Sequence, residues 1–168
     1  MKYVALLRGI NVGGSGLLPM KDLTALCEAL GFADVRTYIQ SGNVLFESKL
    51  QEARTKKLLE DALEKRMGKK ISVMVRTGAE LDQILAANPF ADKEPAKVGI
   101  AFLNAAPPDD LLWKVVAPDG EQVQPGAREI YVYYPIGMGR SKLKLRALAA
   151  ATVRNANTLA RLAAMCGV

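Results

Sequence analysis

Arg36-Thr37-Tyr38-Ile39-Gln40-Ser41-Gly42-Asn43-Val44-Leu45-Phe46 joins two β-rich runs across a Ser-Gly-Asn turn. Val35, Thr37 and Ile39 alternate with Arg36, Tyr38 and Gln40, which predicts a strand with two unlike faces. Gly and Asn tolerate the positive φ of a tight hairpin, so the spacing predicts strands over about 34–40 and 43–47.

Upstream, residues 2–8 read as a strand whose uninterrupted Val4–Leu7 run suits a position covered on both faces. Pro19 suits a first helical turn, and Met20, Leu23, Leu26, Cys27 and Leu30 recur at helical spacing up to Gly31. Downstream, a helix over about 51–67 buries Leu59, Leu63 and Met67, with Glu52/Lys56 and Asp61/Lys65 as ion pairs and Gly68 closing it. Ile71–Val75 makes a fourth strand. The order is βαββαβ, a ferredoxin-like plait.

Thr77-Gly78-Ala79-Glu80 fits a capping box opening a helix that Asn88-Pro89 ends. Asp92–Pro95 reads as a linker and Val98–Leu103 as a strand. Pro107–Asp110 leads a short helix through Trp113, Pro125-Gly126 turns a hairpin between about 121–124 and 129–134, and Gly137–Lys144 opens a helix to about 150. A last helix runs from about Asn157 to Met165. This second part repeats the element order of the first. The expected fold class is α+β: two ferredoxin-like α-β plait halves with antiparallel sheets, residues 1–76 and 77–168, plus C-terminal helices. If each half leaves one sheet face bare of its own helices, a common interface would cover both.

The chain has 168 residues, 50% apolar and 24% charged, an ordinary globular composition. No apolar run reaches membrane-span length, and the first residues lack a signal-peptide pattern, so a cytoplasmic protein with no membrane association is expected. Cys27 and Cys166 sit in apolar helical stretches and read as core residues. Histidine is absent, which removes His-dependent triads, His metal sites and imidazole acid–base catalysis. Acidic residues are not clustered, so no metal and no cofactor is expected. The third strand also lacks the paired aromatics of an RNA-recognition motif.

Charge is unevenly placed: residues 1–76 hold 13 Lys/Arg against 8 Asp/Glu, residues 77–136 hold 4 against 9, and residues 137–168 hold 6 against none. Basic ends meeting a phosphate-bearing partner would account for this, as would mutual neutralisation within the fold.

Two glycine-rich stretches precede expected helices. The first, Gly9–Gly16, carries Asn11, Gly13 and Gly14 between Arg8 and Lys21; exposed amides at a helix N-terminus favour an anion, although no complete P-loop or G-x-G-x-x-G motif fits and a plain turn explains the same glycines. In the second, Ser141 reads as an N-cap beside Arg140, Lys142 and Lys144. Gln40, Ser41 and Asn43 could bond a ligand or merely shape the turn. Thr152–Thr158 reads as a polar link between helices, with Asn155 or Asn157 as a cap and Arg154 available to something acidic.

Leu7–Gly14, Met20–Leu23, Gly31-Phe32, Tyr38–Val44, Asn88-Pro89-Phe90, Ser141-Lys142-Leu143, Thr152–Asn155 and Asn157-Thr158 together closely resemble the bacterial family known as domain of unknown function 1697. Where that family often has an aromatic between two asparagines, this chain has Ala156. The resemblance implies paired plaits and no established activity. It carries over the polar positions Arg8, Asn11, Gln40, Ser41, Asn43, Lys142, Arg154, Asn155 and Thr158, which suit hydrogen bonding to a phosphate or carboxylate.

Three functions are therefore open. One is a binding module for a phosphate-bearing small molecule or nucleic acid. A second is an enzyme on a small phosphorylated or acyl substrate, with Arg8, Lys142 and Arg154 clamping charge and Ser41 or Lys21 reactive. The third is a structural or partner-binding protein, such as a homo-oligomer formed through an exposed edge strand.

Overall fold

A computed structural model describes residues 1–11 and 17–167. They form strands β1 Lys2–Leu7, β2 Ala33–Thr37, β3 Asn43–Glu47, β4 Val73–Thr77, β5 Val98–Phe102, β6 Gln122–Pro125, β7 Glu129–Tyr133 and β8 Thr152–Asn155. The helices are α1 Met20–Ala29, α2 Glu52–Met67, α3 Gly78–Ala86 and α4 Ala156–Cys166. Two antiparallel four-stranded sheets result, ordered β2-β3-β1-β4 and β6-β7-β5-β8. Adding four to each strand number of the first sheet gives the second. The fold is α+β, with two plait-like halves and a C-terminal helix. The chain divides into two compact units, Met1–Glu80 with Leu162–Val168, and Leu81–Arg161.

In the first unit, Tyr3, Ala5 and Leu7 of β1, Val44 and Phe46 of β3, and Val73 and Val75 of β4 share one buried face with Leu23 and Cys27 of α1 and Leu59 and Leu63 of α2. Phe32 stacks on Phe46 at 4.3 Å between ring centroids. Each such Val, Leu or Phe side chain contributes about 1.5–3 kcal/mol by leaving water. Val4 and Leu6, on the opposite face, are buried just as fully. That two-sided burial is why β1 reads as a continuous apolar run rather than an alternating one.

β4 is an edge strand, and α2 covers part of its edge with side chains. Val73 N–H donates to Glu60 Oε2 at 3.0 Å, and Lys56 Nζ donates to Val73 O at 2.7 Å. Lys56 and Glu60 also pair with each other at 2.9 Å. The i,i+4 ion pairs formed are thus Lys56–Glu60 and Lys57–Asp61, shifted from the expected Glu52/Lys56 and Asp61/Lys65. Backbone groups at the sheet edge compete for Lys56 and Glu60 and select that register.

The hairpin forms, but β2 stops at Thr37, before the expected end near 40. Ile39 has φ 52° and Gly42 φ 85°, so the chain leaves the extended region before the turn begins. The capping box at Thr77–Glu80 closes as expected: Glu80 N donates to Thr77 Oγ1 at 3.1 Å, and Thr77 N donates to Glu80 Oε1 at 3.0 Å.

The second unit departs more. Its core joins Ala101, Leu103, Ile130, Val132 and Tyr134 with Leu111, Leu145 and Ala151. Between β5 and β6 the expected short helix at 107–113 is a series of turns. The expected helix from Gly137 to about 150 is absent too. Met138–Arg140 and Arg146–Ala150 are short 3-10 helices, joined by an extended segment in which Lys144 and Val116 exchange both backbone hydrogen bonds, at 2.8 and 3.0 Å. Lys142 and Lys144 are exposed while Leu143 and Leu145 pack on the core. Alternation of that kind has the period of a strand and cannot bury a helical stripe.

Thr152–Asn155 is likewise not a link between helices. It is strand β8, pairing with β5 from Gly99↔Asn155 to Phe102↔Thr152. The halves then match in detail. Arg76 of β4 lies opposite Val4, and Arg154 of β8 lies opposite Ile100. Each arginine donates through Nη1 to the carbonyl of the residue before it, Val75 or Val153, at 3.0 Å.

Candidate functional site

The predicted polar residues fall into two groups, one in each unit. In the first, β1 ends at Leu7 and its pairing extends one step, Arg8 N–H donating to Ser72 O at 3.0 Å. Gly9 and Asn11 then take positive φ, 68° and 56°. This conformation turns the Asn11 amide across the loop. Its Nδ2 donates to Leu18 O at 2.9 Å and to Gln40 O at 2.7 Å, while its Oδ1 accepts from Leu18 N at 2.7 Å. Three of the four bonds an amide side chain can make are therefore used to tie the β1–α1 loop to the β2–β3 turn.

The turn is held from within by Asn43. Its fully buried amide donates to Tyr38 O and to Ser41 Oγ, each at 3.0 Å. Leu7 N–H donates to Gly42 O at 2.8 Å. A Cβ on Gly42 would lie 2.8 Å from Ile10 Cδ1 and 2.9 Å from Leu7 Cβ, so only glycine combines the positive φ with this approach. The result presents the tip of the turn to solvent: Ile39, Gln40 and Ser41 are exposed.

Arg8, at the same end of β1, is exposed, as is Lys21 in the first turn of α1. Pro19 occupies the N-cap position of α1 and provides no side-chain cap. Asp22, the acidic residue of that turn, is drawn to Arg66 at 3.1 Å. Asn11 thus links the end of β1, the start of α1 and the β2–β3 turn, and these segments carry the exposed Arg8, Lys21, Gln40 and Ser41 and a helix start without a side-chain cap. Asn11 and Asn43 act within these segments. Gly13 and Gly14 lie outside the described residues.

The second group behaves differently. Ser141 does not cap a helix; its hydroxyl donates to Glu121 Oε2 at 2.7 Å and accepts from Leu143 N at 3.1 Å. This hydrogen bond holds the Glu121 carboxyl below its ordinary value of 4.5, against the opposing effect of burial. Lys142 is exposed on the extended segment. Asn155 caps α4, its Oδ1 accepting from Thr158 N at 2.8 Å. Burial lowers the Arg154 guanidinium to about 10, which leaves it charged at neutral pH.

One exposed surface has no counterpart among the residues that the sequence singles out. Trp113, the chain's only tryptophan, is half exposed, with Lys114 Nζ 4.4 Å and Arg146 Cζ 4.7 Å from its ring centroid. In the sequence the surface shows only as an apolar run, Leu111-Leu112-Trp113, followed by Val115-Val116 across a lysine, which fits the short helix expected there as well. Among the described residues, no group of three or more Asp, Glu or Cys side chains is placed to hold a metal ion, and no helix is long and apolar enough to cross a membrane.

Residues 1–131 match the family described as protein of unknown function (DUF1697). The chain belongs to that family. As a DUF1697 member it shares its fold with a solved structure, that of a conserved bacterial protein from Streptococcus pneumoniae. The two have a TM-score of 0.78 and 22% sequence identity, with 98% of each chain covered. A search of curated proteins found no match. The likeness is one of fold, so any function has to be argued from this chain's own surface.

Proposed function

We propose that this DUF1697 chain is a binding module for a phosphate-bearing ligand, held at the turn end of the first sheet. The observation that carries the reading is the Asn11 bridge. By bonding Leu18 and Gln40 it joins the segment ahead of α1 to the β2–β3 turn, and Arg8 at the end of β1, Gln40 and Ser41 in the turn and Lys21 in α1 are exposed. Cations supply charge, the turn residues supply directional hydrogen bonds, and an α1 start without a side-chain cap favours negative charge. Lys21 opposes the helix dipole when nothing is bound, and an anion there would reverse that penalty.

A thermal-shift screen against nucleotides and sugar phosphates tests the reading, because a ligand that binds only the native state raises the melting temperature. One phosphate class should stabilise the protein, and Arg8→Ala and Lys21→Ala should each remove most of the shift. A shift that both variants retain would place the ligand elsewhere.

A further inference from the structure

Three of the seven large apolar side chains exposed among the described residues, Leu112 at 54%, Trp113 at 51% and Val116 at 48%, lie within five residues of the second unit. Exposed apolar side chains grouped in this way are a feature of interaction surfaces. A row of cations runs beside it. Lys142, Lys144 and Arg146 occupy alternate positions and are all exposed, while Leu143 and Leu145 face the core.

Alternate residues of an extended chain stand about 6.6 Å apart, a spacing that suits successive phosphates of an unpaired strand. The row is tied to the apolar patch at two points. Lys144 pairs with Val116 through both backbone hydrogen bonds, and Arg146 stands over the Trp113 ring. Beside the ring lies a cleft of about 350 Å³ lined by Leu103, Ala106, Pro108, Leu111 and Ala147. Asp110 is the acidic group facing Arg146, at 3.8 Å, with both side chains largely exposed.

We propose that the Lys142–Arg146 row and Trp113 form a track for single-stranded nucleic acid, Lys142 and Lys144 following the backbone and a base stacking on the indole in place of the Lys114 or Arg146 side chain that covers it. Charge complementarity favours this occupant: residues 137–168 hold six basic residues and no acidic one. Cation rows with aromatic platforms bind single strands with little sequence preference. An acidic peptide would use the cations but would gain nothing from the indole face as a stacking platform. This track is separate from the anion site proposed on the first unit.

The full chain, titrated at low salt against fluorescently labelled oligothymidylate and oligouridylate, is read by anisotropy and by Trp113 emission, which reports on this surface alone. Both oligonucleotides should bind and quench the emission, with log K falling linearly against log salt. The Lys142→Ala/Lys144→Ala variant should flatten that slope by about 1.4, the loss of two phosphate contacts. Trp113→Ala, read by anisotropy, should weaken binding about tenfold. All three positions are exposed, and circular dichroism melts would check that the variants fold.

The proposal is overturned if neither oligonucleotide binds at low salt, or if the double lysine variant keeps the wild-type slope. It is also overturned if polyglutamate quenches Trp113 where the oligonucleotides do not, which would identify an acidic protein partner. Binding lost in Arg8→Ala but kept in the lysine variant would move the nucleic acid to the first unit, supporting the earlier reading against this one.

Discussion

Two single-residue contacts make opposite demands on the protein. Gly78, the first residue of α3, lies so close to α4 that a Cβ there would sit 2.7 Å from Cys166 Sγ. Gly78→Ala should therefore destabilise the protein by about 1–3 kcal/mol through overpacking. Cys166→Ala removes the sulfur, and in the double variant it should recover most of that loss, as denaturant midpoints would show. Glu121 is set by charge rather than space. Its folded carboxyl is lowered by the Ser141 hydroxyl, so the bond adds stability above the ordinary carboxylate value and loses it as pH falls through the folded value. Glu121→Gln should melt below the wild type at neutral pH, and the difference should shrink in acid. The hydrogen-bonded turn at Ser41–Asn43 was legible residue by residue. The left-handed Ile39 was not, because a β-branched side chain argues against positive φ and only the closure of the turn onto Asn11 and Leu7 overrides it.

At the scale of elements, the first unit follows its sequence because α1 and α2 bury stripes at helical spacing and β1, β3 and β4 carry apolar runs. In the second unit the stretches that would be helices are too short or wrongly spaced to bury such a stripe. Glycines and cations at 137–144 imitate a helix start, while the Leu143/Leu145 alternation decides the outcome. β8 was missed for a related reason: a four-residue strand ending in Arg154-Asn155 has little apolar surface to announce it. The edge of β4 yields a prediction of its own. Glu60→Ala removes the acceptor of Val73 N–H and the partner of Lys56, uncovering part of a strand edge. It should cost about 1–3 kcal/mol and produce concentration-dependent association in light scattering, whereas Asp61→Ala on the exposed Lys57 pair should do neither.

For the whole molecule, equivalent strand orders and the paired arginines Arg76 and Arg154 show one plan used twice. The sequence revealed that plan only as a succession of elements, since residue similarity between the halves is too low to see. The units also carry separate reporters. Trp113 belongs to the second, and Cys27, whose thiol burial pushes up to about 12, belongs to the first. Deleting Leu162–Val168 removes Cys166 and leaves Cys27 as the single thiol. In that truncated chain Cys27 should react with a thiol reagent at lower denaturant than in the wild type, ahead of the Trp113 fluorescence transition. Coincident shifts of both signals would instead mean that the two units unfold as one.

The first unit is closed by a segment that follows the second in the chain. On the ribosome, all of Leu81–Arg161 therefore emerges before the part of α4 that sets Cys166 against Gly78. The unit translated first is completed last, and until then the nascent protein holds a sheet and two helices without the final piece of their surroundings.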